Sequence, residues 1–383
     1  MREDAVEHGG AAVPIGRKPA MESRTEGPGG GNPNRQHPAT QAERCAATTH
    51  GDPMLSTVAR FDDFHLYGAS APEWHQRYQQ VSRGTMRSSM VEVTLGHTHL
   101  FRKALSQRVL QQGCLPPGKI CFAVAAPAAA MARMQGREVT AHSLFILRGG
   151  EEFVIHRPAQ MELLAVTFDA SRFDALVAQQ NDAAGLRAAL GHGLVEVSAS
   201  GLAALRGALW SWLSVRASPQ PAAGGMPPTE WIEAAIAATV VHALRDGHVP
   251  QGRAKGMSSH ALVAECHRLT LANVQEPLSI DALCARLRTS RRTLQDSFQK
   301  VAGTTPVDYL RSMRLNLVRR SLHGTLPGEV DIGEIATHAG FSQLSHFAHQ
   351  YRLLFGELPS QTPRADRLRR PAAGVQAALP PIG

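Results

Sequence analysis

The sequence lacks the features of a membrane-embedded or exported protein. None of its apolar runs approaches the roughly 20 residues that a membrane-spanning helix needs. Its start shows no charged segment followed by an apolar one, which is the pattern of a secretory signal. These two absences predict a cytoplasmic protein without a membrane partner.

Paired cysteines are also lacking. The five cysteines are scattered, and no two of them form a Cys-x-x-Cys pair. An odd number of scattered cysteines, in a chain without an export signal, argues against a disulfide framework and against a cysteine-based zinc site. The five are Cys45, Cys114, Cys121, Cys266 and Cys284.

Positive charge is what the chain has in excess. Lys and Arg number 40 against 32 Asp and Glu, which gives a formal net charge of +8. A basic balance suits a polyanionic partner, although charge alone does not separate nucleic acid from an anionic membrane surface. Because apolar runs of membrane length are missing, nucleic acid is the favoured partner.

Composition and hydrophobic pattern divide the 383 residues into five parts. Residues 1–57 are rich in Gly, Pro and charge and have no apolar periodicity, which predicts a disordered tail. Residues 58–246 are predicted to form a folded domain of strands and helices. Residues 247–258 are predicted to be a linker, residues 259–370 an all-helical domain, and residues 371–383 a second disordered tail.

The first folded part is predicted to be α+β. Short alternating or apolar runs, separated by Gly and Pro, predict strands at residues 90–95, 119–124, 143–147, 153–155 and 163–168. Several short strands at this spacing predict an antiparallel barrel or sandwich. Apolar residues at helical steps then predict helices at residues 171–179, 201–216 and 228–246.

Two helix-turn-helix units in tandem are predicted between residues 279 and 364. In the second unit, Asp331 and Glu334 form an Asp-x-x-Glu capping box that begins a helix. Gly340 permits the positive φ needed where that helix ends, and Ser342 is predicted to cap the next one. The inward side chains of that next helix are Leu344, Phe347, Tyr351, Leu354 and Phe355.

The first unit follows the same pattern. Ser279 and Ser290 are predicted to cap its two helices, and Thr305 with Pro306 begins a connecting helix of roughly five turns. The second helix of such a unit fits the major groove of DNA, which is about 12 Å wide. Two units joined by one rigid helix therefore predict a bipartite site in double-stranded DNA, with half-sites about 34 Å apart.

Many residue types stand in a characteristic order along this part of the chain. They are Phe298, Gly303, Pro306, Tyr309-Leu310, Arg314-Leu315, Ile335-Ala336, Gly340-Phe341-Ser342, Ser345-His346-Phe347, Phe355-Gly356, Pro359-Ser360 and Arg364. This set resembles the DNA-binding domain of AraC-type transcription regulators over the last quarter of the chain. One departure is Gln361-Thr362-Pro363, where the family usually has an aromatic residue before the arginine.

The resemblance implies a sequence-specific DNA-binding transcription regulator and not an enzyme. Members of the family read bases with the first turns of both recognition helices, which here are Arg292, Gln295, Asp296, Gln343, Ser345 and His349. Arginine suits guanine, glutamine suits adenine, and an acidic side chain accepts from cytosine. Candidates for phosphate contacts are Arg291, Lys300, Arg314 and Arg352. The alternative for each of these residues is a solvated helix face.

The order of strands, helices and linker also resembles AraC-type regulators, in which a cupin-like domain senses a signal and adjacent helices dimerise. Tyr78-Gln79, Gly84, Pro116-Pro117-Gly118 and Gly150-Glu151-Glu152-Phe153 are similar to the EutR-like subgroup. The resemblance implies an activator that forms a homodimer and contacts RNA polymerase, and it leaves the effector unknown. Aromatic candidates for a pocket are Trp74, Tyr78, Phe122, Phe145 and Phe153, with none singled out.

His97 and His99 are the only candidates for a metal site that the pattern offers. Cupin enzymes use two histidines at alternate strand positions, but the acidic ligand expected a few residues later is missing. Arg102 and Lys103 stand there instead, and their charges oppose a cation. We therefore expect no metal and no other cofactor. The alternative function is a cupin-type metalloenzyme that carries a nucleic-acid-binding appendage.

Overall fold

A computed structural model describes residues 42–47, 54–61, 74–125, 132–215, 228–249 and 258–364. The predicted tail at residues 371–383 lies outside these ranges, as do residues 1–41 and 48–53 of the N-terminal tail and residues 250–257 of the linker. These parts of the domain division stay predictions.

Two antiparallel sheets form the N-terminal part. The larger sheet has the order β1 (Ala42–Ala47), β2 (Met54–Phe61), β4 (Ser88–Leu95), β5 (Thr98–Leu105), β12 (Glu162–Asp169), β7 (Lys119–Ala125), β10 (Ser143–Arg148) and β13 (Leu194–Glu196). The smaller sheet has the order β3 (Arg77–Gln80), β6 (Val109–Cys114), β11 (Glu152–Arg157), β8 (Arg133–Met134) and β9 (Arg137–Glu138).

The sheets pack as a sandwich and not as a barrel. Phe101 and Phe145 of the larger sheet share a core with Phe153 of the smaller one, whereas Phe122 and Val166 lie in the core on the opposite face of the larger sheet. Within the described ranges no strand pairing joins the two sheets. The sandwich form of the prediction is confirmed and the barrel form is wrong, because each sheet keeps its own edges and no described strand of one sheet pairs with a strand of the other.

The strands at the N-terminal edge were not predicted. β1 and the first residues of β2 fall inside the range 1–57, for which the sequence predicts a disordered tail. β2 pairs with β4 from Leu55 opposite Thr94 to Phe61 opposite Ser88, and Ala59 is buried. The run contains small and polar residues without clear alternation, so its strand character comes from pairing with β4 and leaves little mark in the sequence.

Four helices cover the outer face of the larger sheet. They are α1 (Ala170–Ala178), α2 (Ala183–Leu190), α3 (Ala199–Val215) and α4 (Thr229–Arg245), and three of them match the predicted helices to within two residues at each end. The short α2 was not predicted. No helix in the described part of the chain is both long and apolar enough to span a membrane.

The C-terminal part is all-helical, as predicted. It contains α5 (Ser259–Ala272), α6 (Ile280–Arg286), α7 (Arg291–Ala302), α8 (Pro306–Gly324), α9 (Ile332–His338) and α10 (Leu344–Phe355), followed by a 3-10 turn at Pro359–Gln361. Helices α6–α7 and α9–α10 are the two helix-turn-helix units, and the 19-residue α8 joins them. Side chains of Ser279, Ser290, Thr305 and Asp331 accept hydrogen bonds from the first turns of α6, α7, α8 and α9, which confirms the predicted caps.

One apolar core crosses from the sandwich into the helical part. Tyr78, Met90 and Leu105 of the sheets are buried in the same cluster as Val318 of α8 and Phe355 of α10. A second cluster joins β6 to α5, α7 and α8 in the same way. The helical part is therefore packed on the sandwich through buried side chains.

Candidate nucleic-acid interface

Helix α7 presents a charged face to solvent and an apolar face to the core. Leu294, Phe298 and Val301 are buried, and the ring of Phe298 lies edge-on to that of Tyr309, with 5.2 Å between centroids. The opposite face is exposed and carries Arg291, Arg292, Thr293, Gln295, Asp296, Gln299 and Lys300. The structure thus places the base-reading residues predicted for the first unit together on one exposed face.

Arg292 and Asp296 lie one turn apart on this face. Nε of Arg292 is 3.8 Å from Oδ2 of Asp296, and the side chains are 92% and 72% exposed. An ion pair this exposed contributes little to stability, so both groups stay available to a base edge. With DNA bound at this face, the arginine would also offset the repulsion between the Asp296 carboxylate and the phosphates.

Arg291 has a different environment. Its guanidinium donates hydrogen bonds to both carboxylate oxygens of Asp281, at the start of α6. This contact lowers the pKa of the Asp281 carboxyl and raises the pKa of Arg291. The pair connects the two helices of the first unit across their turn, so a phosphate would compete with Asp281 for Arg291.

The turn of the second unit depends on Gly340. This residue has a φ of +78°, and the N–H of Phe341 donates to the carbonyl of Ala336 over 3.0 Å. Arg314 of α8 donates to the carbonyl of Gly340 over 3.1 Å and lies 4.9 Å from the centroid of the Phe341 ring. Burial lowers the pKa of Arg314. Arg314 therefore holds the turn that positions α10, in addition to the phosphate contact predicted for it.

Helix α10 also has one buried and one exposed face. Phe347, Tyr351 and Phe355 contact one another edge to face along the buried face, with 5.8 and 4.6 Å between successive ring centroids. The opposite face is exposed and carries Gln343, Ser345, His346, His349 and Arg352. All three base-reading candidates of this unit, Gln343, Ser345 and His349, are among them.

Two local predictions for α10 are wrong. Ser342 does not cap the helix, which starts one residue later with Gln343 at the cap position and no side-chain cap hydrogen bond. Leu344 was predicted to point inward but is 49% exposed. Both errors have one cause, since the later start moves Leu344 to the first helical position, before the packed face begins.

Lys300 and Arg352 lie near the C-terminal ends of the two recognition helices, and both side chains are exposed. A positive charge at that end is favoured by the helix dipole with or without DNA. Their phosphate contacts, like the base contacts above, stay predictions.

Comparison with known proteins agrees with this geometry. A family model described as a helix-turn-helix domain matches residues 283–365. Over 90 residues the chain is 40% identical to the XylDLEGF operon transcriptional activator 2 of Pseudomonas putida. These 90 residues are 24% of this chain and cover 57% of that one. Residues 283–365 form an AraC-type helix-turn-helix domain.

Other relatives match the AraC-type domain over similar lengths. The HTH-type transcriptional regulator ArgR of Pseudomonas aeruginosa is 32% identical over 148 residues, which cover 37% of this chain and 43% of ArgR. A solved AraC-type transcriptional regulator from Chromobacterium violaceum is 34% identical; the match covers 28% of this chain and 93% of that one, with a TM-score of 0.26. The chain thus spans only about half the length of these curated relatives. The EutR-like resemblance is not confirmed by these comparisons and stays a prediction.

Buried histidines lie where the AraC-type domain meets the smaller sheet. The ring of His156 is 6.1 Å from that of His260 and 6.4 Å from that of Tyr309, between centroids. Nδ1 of His267 is 3.3 Å from the hydroxyl of Tyr309. Burial, with smaller effects of His260, His267 and Arg133, lowers the pKa of His156 to about 3. Burial lowers the pKa of His267 to about 4. The members of this cluster are far apart along the chain, so no local pattern in the sequence indicates it.

The two histidines considered for a metal have separate acidic neighbours. Nδ1 of His97 is 3.4 Å from Oδ2 of Asp169, and Nε2 of His99 is 3.6 Å from Oε1 of Glu92. Across the ranges that the structure describes, no three His, Cys, Asp or Glu side chains are grouped so that they could hold a metal ion. The matching family model and the named relatives support a DNA-binding regulator, and they do not support the alternative of a metalloenzyme.

The five aromatic pocket candidates do not line one pocket. Trp74, Phe145 and Phe153 lie between the sheets, Tyr78 lies in the core shared with the AraC-type domain, and Phe122 lies under the outer helices. A different cleft, of about 220 Å³, opens between the end of β12, α1 and α4.

Proposed function

We propose that the chain is a cytoplasmic transcription regulator whose AraC-type domain binds a bipartite promoter site in double-stranded DNA. The observation that carries this proposal is the pair of exposed polar faces on α7 and α10, joined by α8. The proposed base contacts are those of Arg292, Gln295, Asp296, Gln343, Ser345 and His349. The proposed phosphate contacts are those of Arg291, Lys300, Arg314 and Arg352.

The proposal extends to the rest of the chain. The names of the relatives support an activator, and hence a contact with RNA polymerase. The sandwich would sense a small effector or a partner protein. The exposed indoles of Trp210 on α3 and Trp231 on α4, 43% and 76% accessible, offer surface for a homodimer. No catalytic role is part of this proposal.

Replacing Arg292 by alanine tests the base contact. We expect Arg292→Ala to weaken binding at the preferred site by about 1–3 kcal/mol, because a bidentate contact to guanine is lost. Binding to random DNA should change much less. The measurement is fluorescence anisotropy with the full chain, on a site selected from random sequences and on a scrambled version of it.

Arg245→Ala is the matched control, since Arg245 is an exposed arginine of α4, outside both helix-turn-helix units. It removes the same charge and should leave the preference for the selected site unchanged. An equal loss on selected and scrambled DNA with Arg292→Ala would mean that Arg292 contacts only phosphate. Failure to select any sequence would contradict the proposed function itself.

A further inference from the structure

The sandwich binds the C-terminal end of the first recognition helix. Nε of Arg133, in β8, donates to the carbonyl of Lys300 over 2.7 Å. The guanidinium of Arg108, just before β6, donates to the carbonyl of Gly303, which ends α7 with a φ of +61°. Lys300 belongs to the last turn of α7, and Gly303 is the residue that directly follows that turn.

The sandwich binds the C-terminal end of the second recognition helix as well. Nε2 of Gln80, at the end of β3, donates to the carbonyl of Leu354 over 2.6 Å. The N–H of Gly84, in the turn between β3 and β4, lies 3.1 Å from the carbonyl oxygens of both Leu353 and Leu354. Gly84 has a φ of +114°, a conformation that favours glycine, so this turn has the backbone shape that the contact needs.

The same strand also holds the middle of α8. The Gln80 N–H donates to Oδ1 of Asn316 over 2.9 Å, and Nδ2 of Asn316 donates to the carbonyl of Gln80 over 2.8 Å. Both residues are buried, with about 1% of their surface exposed. An ion pair of 3.6 Å between Arg83 and Asp308 lies near the start of α8.

These hydrogen bonds supply donors to carbonyl groups at the ends of the recognition helices. The last four carbonyls of a helix have no partner within the helix and need donors from elsewhere. Where they are covered by protein, losing the donor costs more than the hydrogen bond itself is worth, because the carbonyl is left unsatisfied. A guanidinium at this end also interacts favourably with the helix dipole. The sandwich therefore supplies groups that the recognition helices require.

We propose that the sandwich fixes the orientation of the two recognition helices relative to each other by capping the C-terminal ends of both. Arg108 and Arg133 hold α7, and Gln80 and Gly84 hold α10. The exposed N-terminal turns of both helices stay open on the side away from these caps. With α8, the caps give each recognition helix a second point of attachment, which restricts its rotation about α8. The consequence for DNA reading rests on the function proposed above.

The positioning itself can be measured without DNA. Spin labels at Gln299→Cys of α7 and His346→Cys of α10, in a full chain with Cys45 and Cys114 replaced by serine, report the distance between the recognition helices. Arg108→Ala removes a cap of α7, and Gly84→Ala strains the turn that caps α10. We expect either variant to shift or broaden the distance distribution.

Arg102→Ala is the control, because it also removes a partly buried sandwich arginine, one that pairs with Glu162 at 2.9 Å and contacts neither recognition helix. It should leave the distribution unchanged. If both cap variants give the same distance distribution as the parent protein, the proposal is overturned, regardless of how the variants bind DNA. If Gly84→Ala fails to fold, Arg108→Ala alone decides the outcome.

The second measurement tests the consequence for DNA. The full chain is bound to its selected bipartite site, to versions with the half-site spacing changed by a few base pairs, and to a single half-site. Wild-type binding should fall by about tenfold when the spacing changes. In Arg108→Ala this spacing penalty should shrink to less than about threefold, while half-site affinity stays within about twofold. An unchanged penalty would overturn the proposal, whereas a missing bipartite site would contradict the proposed function.

Discussion

Replacing Gly340 by alanine is expected to destabilise the AraC-type domain by about 2–4 kcal/mol and to abolish binding by its second unit. Two costs add. A side chain at a φ of +78° is strained, and a Cβ atom at this position would lie 2.4 Å from the carbonyl oxygen of Val274 and 2.6 Å from Cγ of Pro277. The backbone on either side must shift, which moves α10 away from its position after the turn. Urea unfolding followed by circular dichroism gives the change in stability.

The control for this substitution is Gly207→Ala. Gly207 lies within α3, has no positive φ, and a Cβ atom there would meet nothing within 4 Å. Alanine is the better helix former, so the control should be neutral or stabilising by up to about 1 kcal/mol. A loss at Gly340 no larger than at Gly207 would show that the turn relaxes without strain.

Acid should destabilise the folded protein well before its carboxylates are protonated. Burial lowers the pKa of His156 to about 3 and that of His267 to about 4, so the folded state keeps these side chains neutral. The unfolded chain protonates them below a pKa of about 6.5. The contribution of these two side chains to stability is therefore constant above that pH and falls as pH decreases towards the folded-state values. Protonation of each of these histidines in the unfolded chain should lower the free energy of unfolding by roughly 2 kcal/mol by pH 5.

His156→Leu is expected to reduce this acid loss. Neither ring nitrogen of His156 has a hydrogen-bond partner among the residues that the structure describes, so an apolar side chain there should be tolerated at pH 7. The groups around it are His260, His267, Tyr309 and Arg133. Urea midpoints at pH 7, 6 and 5 measure the effect, with the exposed His242→Gln as control. Equal pH dependence in parent and variant would show that His156 does not contribute.

The features that the sequence predicts correctly are local. The caps at Ser279, Ser290, Thr305 and Asp331 depend on groups within a few residues, so spacing alone reveals them. The 3.6-residue period likewise separates the buried face of α7 from its exposed face. One such signal was overlooked: Ser258 caps α5, whose buried residues recur at helical steps, yet only the start of the domain was predicted there.

The features that the sequence did not predict depend on contacts between distant residues. Gln80 and Asn316 are 236 positions apart, and no pattern around either indicates that they are bonded. The same holds for the buried histidines, each of which reads as an isolated polar residue. The start of α10 was predicted one residue too early, because Ser342 has the side chain of a cap, whereas the helix follows Gln343 without a side-chain cap hydrogen bond.

The apolar core that Val318 and Phe355 share with Tyr78, Met90 and Leu105 bears on how such proteins diversify. Separating the AraC-type domain from the sandwich would expose this apolar surface on both parts, so the domain cannot be exchanged between proteins without a matching partner surface. Another domain in place of the sandwich would have to offer matching apolar side chains and donors for both recognition helices. On the function proposed above, a change of effector is therefore easier by substitution inside the existing sandwich than by exchange of whole domains.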